Sequence, residues 1–173
     1  MKIEKIISGA QTGADRGGLH AALALGIPTG GWCPKGRRAE DGVIPKHFSA
    51  LEETPSSDYP ERTEWNVRDS DATILFTWGD SFSPGSRLTQ RMADRHKKPC
   101  CTINLRSTDD TQAVECILEF LKSVSAKVLN IAGSRESKAP GIQAKTERVL
   151  VMALTSYWIP VDPRTGIPKT PSD

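Results

Sequence analysis

The stretch Ala72-Thr73-Ile74-Leu75-Phe76-Thr77, running into Trp78-Gly79-Asp80-Ser81-Phe82-Ser83-Pro84-Gly85-Ser86, decides the fold. A short apolar run without polar alternation predicts a strand buried on both faces, as in a parallel sheet. The Gly/Ser/Pro-rich loop ends it. A helix is predicted over 86–96, where Leu88 and Met92 stand four apart.

The same alternation extends outward in both directions. Ile3 to Ile7 predicts a strand ending at Ser8-Gly9, followed by a helix over 17–25 with Gly26 as its C-terminal cap. An extended piece follows at Thr29 to Trp32. Residues 33–60 carry Pro34, Gly36, Gly42, Pro45, Pro55 and Pro60 and read as a long irregular excursion, followed by a short helix over 62–70 with Thr63 as a possible cap. Beyond the central strand, Pro99 to Leu105 predicts a further strand. Val114, Ile117, Leu118, Leu121 and Val124 keep helical spacing over 109–124, with Asp109 and Asp110 at the positive end. Lys127 to Ala132 predicts the last strand, and 141–154 the last helix, opened by Pro140.

Strand–helix alternation of this kind implies a Rossmann-like three-layer α/β/α sandwich with a mainly parallel sheet and right-handed crossovers. One domain is expected over 1–157, with a Pro-rich C-terminal tail at 158–173. In such sheets ligands bind beyond the carboxyl ends of the strands, where strand order reverses.

Composition narrows the function classes. Lysine plus arginine number 23 against 21 acids, a net charge of +2 over 173 residues, which gives no general footprint for nucleic acid or membrane binding. No apolar run approaches bilayer length, and Met1 to Ile7 lacks the apolar core of a signal peptide, so a cytoplasmic protein is expected. Cys33, Cys100, Cys101 and Cys116 form no C-x-x-C pair, and His20, His47 and His96 are scattered, so neither a disulfide framework nor a protein-held metal site is expected.

Three loops at strand C-terminal ends share one chemistry. They are Ser8 to Gly18, Trp78 to Ser86, and Ala132 to Gly141, each small, polar and Gly-rich and each leading toward a helix. Glycine admits close backbone approach, and the first N–H groups of a helix lack intrahelical partners, so such junctions stabilise anions. Candidate contacts are Gly9, Gln11, Thr12, Gly13, Asp15 and Arg16 in the first loop. Gly79, Pro84, Gly85, Ser86 and Thr89 are the candidates in the second, and Gly133, Ser134 and Arg135 in the third. Asp15 is equally a plain helix cap, and Arg16 is a candidate phosphate clamp through its planar fork. The stretch Gly30-Gly31-Trp32-Cys33-Pro34-Lys35-Gly36-Arg37-Arg38 adds Trp32, Lys35, Gly36 and Arg37, a ring among cations that suits an aromatic anion. A solvated basic loop with Trp32 covering the core is the alternative. Arg62 and Asn66 reach the ligand from a helix or lie on its surface. No Ser-His-Asp set, H-E-x-x-H or G-x-S-x-G is present, and no catalytic residue is assigned.

Ser8 to Arg16, Gly30 to Gly42, Arg62-Thr63 with Asn66-Val67 and Asp69-Ser70-Asp71, Ser83 to Ser86, and Gly133 to Arg135 with Pro140-Gly141 together resemble the family named for molybdenum carriers. The resemblance spans about residues 1–155. That family is viewed as a circular permutation of the Rossmann-like lysine-decarboxylase-like, or Lonely-guy, nucleotide-binding proteins. The resemblance implies an oligomeric α/β sandwich that holds molybdenum cofactor, or otherwise a nucleotide-like phosphorylated ligand, with molybdoenzymes as recipients. The Lonely-guy hydrolases carry P-G-G-x-G-T-x-x-E. Here Pro84-Gly85-Ser86-Arg87-Leu88-Thr89-Gln90-Arg91-Met92 keeps the phosphate-loop character but lacks the glutamate. A carrier is therefore the first expectation, and a nucleotide phosphoribohydrolase-like enzyme or a nucleotide sensor the alternative.

Overall fold

The computed structural model describes residues 2–158. Among these residues eight strands are found: β1 Lys5–Ile7, β2 Thr29–Cys33, β3 Arg38–Ala39, β4 Gly42–Val43, β5 Leu51–Glu53, β6 Ala72–Thr77, β7 Cys100–Asn104 and β8 Val128–Gly133. Five helices accompany them: α1 Ala14–Ala24, α2 Tyr59–Arg68, α3 Pro84–His96, α4 Asp110–Ser123 and α5 Ile142–Trp158. A 3-10 turn at Glu136–Lys138 precedes α5.

Six strands form one sheet in the order β5-β2-β1-β8-β6-β7. All its pairings are parallel, with Ile6 opposite Leu129 and Ile74 flanked by Ile131 and Cys101. This is the expected α/β architecture. Crossovers β1→β2 and β7→β8 run one way across the sheet and β5→β6 and β6→β7 the other. The right-handed rule then puts α1 and α4 on one face and α2 and α3 on the opposite face. The helix contacts agree: α5 packs on α1 and α4, while α2 packs on α3. All six residues of β6 are buried. A second, smaller core of Ala10, Leu19, Cys33, Ile44, Phe48 and Leu51 lies beneath the 33–60 segment.

The excursion at 33–60 is more ordered than its prolines imply. β5 adds an edge strand to the sheet, Gly31 pairing with Leu51, and β3 with β4 forms a separate antiparallel ribbon. Each piece is only two or three residues long, too short for periodicity to register.

Helix starts also differ from the sequence reading. α2 begins three residues earlier, at Tyr59 after Asp58, with proline in its first turn; Thr63 lies inside it, its hydroxyl donating to the Tyr59 carbonyl at 3.0 Å rather than capping. α1 begins at Ala14, and α3 at Pro84, where Ser83 Oγ accepts from the Ser86 N–H at 3.1 Å. Asp109 caps α4 in a full capping box with Gln112. The helix expected to end at 154 runs on to Trp158, the first residue of the expected tail. The rest of that tail, 159–173, lies outside the described residues.

Candidate ligand-binding site

The strands that carry the three Gly-rich loops are β1, β8 and β6, and these are adjacent at the centre of the sheet. The last strand inserts between β1 and β6, so this is the point where strand order reverses. The loops touch one another. The Ala14 N–H donates to the Ser134 carbonyl at 3.1 Å and the Ser134 N–H to the Phe76 carbonyl at 2.9 Å. Gly13, at φ 85°, is required here: a Cβ would stand 2.3 Å from the Ser134 carbonyl oxygen.

A cavity of about 450 Å³ opens at this rim, within the ~300–1,000 Å³ range of small-molecule sites. Tyr59, Pro60, Pro84 and Leu88 give it apolar walls. Arg62, Arg135 and Lys138 supply cations, and Asp15 is the one carboxylate among the described residues of the lining. Gln11, Thr63, Ser83, Gly85, Thr89, Ala132, Gly133 and Ser134 complete the lining. The Arg135 guanidinium lies 4.7 Å from the Tyr59 ring centroid and that of Arg62 5.8 Å, so both cations lie against this ring.

Arg62 crosses from α2 to the start of α1. Its Nη1 lies 3.1 Å from Asp15 Oδ2, and it passes so close to Gly9 that a Cβ there would stand 2.0 Å from Nη1. Gly9 thus makes room for a side chain of the protein itself. Burial pushes the Asp15 carboxyl above its ordinary range, while Arg62, the Gln11 N–H and Arg135 pull it down. Gln11 is 2% exposed; its Nε2 donates to the Arg38 carbonyl at 2.9 Å, and its Oε1 has no partner among the described residues.

Eight of the residues expected from sequence line the cavity: Gln11, Asp15, Pro84, Gly85, Thr89, Gly133, Ser134 and Arg135. The others stand elsewhere. Arg16 is committed to the protein, with Nη1 and Nη2 at 2.5 and 2.8 Å from the Asp41 carboxylate and Nε donating to the Ala10 carbonyl. Arg37 donates to the carbonyls of Ile44, Pro45 and Phe48 and closes its own loop. Trp32 donates from its indole N–H to Asp69 at 2.7 Å and meets Trp65 edge-on, a seam between β2 and α2. Lys35 is exposed beside Gly36, whose N–H donates to Glu53. The Gly79 N–H donates to Asn104. Ser86 is buried against Ser83, and Thr12 donates to Glu40.

The helix N-termini are also largely served from within. Glu136 accepts from Gly141 and Gln143 at the start of α5, and Ser83 caps α3, where Pro84 has no N–H. Positive charge in the cavity therefore comes mainly from side chains: Arg135 and Arg62 were expected candidates, Arg62 with a surface position as its alternative, and Lys138 was not among them. The signal for α2's share was Asp58 before Tyr59-Pro60, a cap with a first-turn proline. Asn66, the other candidate on α2, instead holds the Trp32 backbone, accepting its N–H at 2.9 Å and donating to its carbonyl at 2.8 Å.

Cys33 is buried, and burial pushes its thiol up, which suits packing rather than reactivity. Among the described residues no three His, Cys, Asp or Glu side chains gather to hold a metal ion, and no helix is long and apolar enough to cross a membrane.

A parallel, doubly wound sheet with a ligand-sized cavity at its switch point defines a Rossmann-like α/β protein. Residues 6–154 match the model of the circularly permutated YpsA SLOG family, and the chain belongs to that family. It is also similar to a crystal structure of a protein from Syntrophus aciditrophicus SB named "Putative molybdenum carrier protein". The two share 45% identity over 88% of this chain and 94% of the other, with a TM-score of 0.82. No curated protein matches significantly. The permuted family and the carrier-named relative both agree with the resemblance carried by the sequence motifs.

Proposed function

We propose that the chain is a carrier for a phosphate-bearing heteroaromatic anion, with molybdenum cofactor the first choice and a nucleotide-like ligand the second. The observation that carries this reading is the cavity itself, where apolar and aromatic walls stand beside Arg62, Arg135 and Lys138 at the sheet's switch point. A flat ring fits against Tyr59, Pro60 and Leu88, and guanidinium forks suit phosphate oxygens. The name of the Syntrophus relative supports the choice of cofactor. The cofactor is cargo in this reading and brings its own metal. The carrier works in the cytoplasm as a homo-oligomer and passes its cargo to molybdoenzymes.

Calorimetric titration with molybdenum cofactor, AMP and GMP tests this. Cofactor binding should be saturable and fall about tenfold in Arg135→Ala, the loss of one charge-assisted contact. Absence of binding by all three ligands at millimolar concentration would refute it.

One observation favours an enzyme instead. Asp15 is a buried carboxyl of raised pKa lining the cavity, the profile of a group that moves a proton. Asp41 is bound to Arg16 and Asp80 to Asn104, and neither lines the cavity. Release of free base from nucleoside monophosphates, lost in Asp15→Asn, would establish the phosphoribohydrolase-like reading.

A further inference from the structure

The tip of the β3–β4 ribbon carries two acids, and both are docked onto the rim of the sheet. Asp41 takes the Arg16 fork. Glu40 reaches further, between the loops that follow β1 and β8. Its Oε1 accepts from the Thr12 hydroxyl and, at 3.3 Å, from the Ser137 N–H; its Oε2 accepts from the Ser137 hydroxyl at 2.6 Å. Two hydroxyls and an amide thus hold a carboxylate between the first and last loops.

That carboxylate is tied to the cavity in two ways. Arg135, a cavity residue, adds a small electrostatic pull on both carboxyls, behind burial in each case, behind Arg62 at Asp15 and behind the Ser137 and Thr12 hydrogen bonds at Glu40. Gln11 lines the cavity, is buried, and donates to the Arg38 carbonyl of the same ribbon, leaving its Oε1 without a partner among the described residues. A shift of the ribbon therefore frees Gln11 beside the ligand. Glu40 is exposed, so its contacts are made in competition with water and are the kind that another anion can replace.

We propose that the donors around Glu40 are an oxyanion position of this site held by the chain's own carboxylate, and that a tetrahedral oxyanion displaces Glu40 and lifts the β3–β4 ribbon. The inference rests on the ligand reading above. Glu40 then acts as an internal competitor: it keeps Thr12 and Ser137 satisfied in the absence of ligand and yields them on binding.

Inorganic phosphate is the probe, titrated into the full chain by calorimetry, with amide hydrogen exchange read over residues 38–43. Phosphate should bind Glu40→Gln at least fivefold more tightly than wild type, because a neutral amide no longer competes. Adding Ser137→Ala to that variant should remove the gain. In wild type, saturating phosphate should speed exchange in the ribbon. Equal or weaker phosphate binding by Glu40→Gln, or unchanged ribbon exchange at saturation, overturns the proposal. A purely structural latch would speed ribbon exchange in both variants with no effect on phosphate, and that result also overturns it. Titration of molybdenum cofactor and nucleotides into the same proteins separates the two readings. Cavity binding lost in Arg135→Ala but indifferent to Glu40→Gln removes the latch and keeps the carrier. No binding of cofactor, nucleotide or phosphate removes both.

Discussion

Arg62 and Asp15 form a buried ion pair beside the cavity, Nη1 to Oδ2 at 3.1 Å, with side chains 14% and 4% exposed. It joins α2 on one face of the sheet to the start of α1 on the other. The two residues that meet there are 47 positions apart in the chain.

Removing one partner of such a pair strands the other. Arg62→Met should destabilise the protein by about 3–5 kcal/mol, because Asp15 is left buried without its cation. The double variant Arg62→Met/Asp15→Asn should recover much of that loss. Urea denaturation of the four proteins of the cycle measures it.

Two aspartates respond to pH with opposite sign. Arg16 holds Asp41 below its ordinary value of 3.8, so its contribution is complete above that value and disappears as the pH falls through the lowered one. The pair is half exposed on the Asp41 side, so Asp41→Asn should cost only about 1 kcal/mol at pH 7 and nothing below the folded-state value. Asp15 is raised above 3.8, so its contribution favours the folded state at low pH and is lost as the pH rises through the folded-state value. Asp15→Asn should remove that downward slope. Urea midpoints from pH 3 to pH 7, on the order of five points each, resolve both signs.

Gly133 tests the packing of the central strands. A Cβ there would stand 2.0 Å from the Phe76 carbonyl oxygen and 2.7 Å from Ala14 Cβ, neither of which is a movable side-chain tip. Gly133→Ala should cost about 1–3 kcal/mol through strain between β8, β6 and α1, and lower the melting temperature accordingly. Gly26→Ala is the control. There φ is 66° with open space around the position, and the cost should be about 1 kcal/mol from backbone conformation alone.

Two aromatic residues should separate binding from stability. Tyr59 lines the cavity beside Arg62 and Arg135, and Tyr59→Ala should weaken ligand binding about tenfold. Trp32 lies in the β2–α2 seam, and Trp32→Phe should leave affinity within about twofold while losing about 1 kcal/mol with the hydrogen bond to Asp69. Calorimetric titration and thermal melts on both variants check this.

Each central strand and most helices were legible because their signals are local. The run Ala72 to Thr77 is apolar throughout and is fully buried in the middle of the sheet. Asp109 with Gln112 announces α4, and Val114 to Leu121 keeps its face. β3, β4 and β5 were not legible, since two or three residues cannot display a period and their pairing partners lie elsewhere in the chain. The glycines of the three loops were readable as loop formers. Gly9 and Gly13 are occupied instead by close approach to Arg62 and to the Ser134 backbone, a matter of distance that spacing cannot express.

The sequence by itself determined the alternation of strands and helices, the parallel sheet, and the three Gly-rich loops that end its central strands, because hydrophobic pattern and turn chemistry act over a few residues. Only the tertiary structure decided which cations face the cavity. Arg16 and Arg37 carry the same guanidinium as Arg62 and Arg135, but the first two are spent on Asp41 and on backbone carbonyls, whereas Arg62, paired with Asp15, and Arg135 stand beside Tyr59 at the rim. A guanidinium's role is set by the acceptors that folding brings within about 3 Å of it, and those acceptors come from distant parts of the chain.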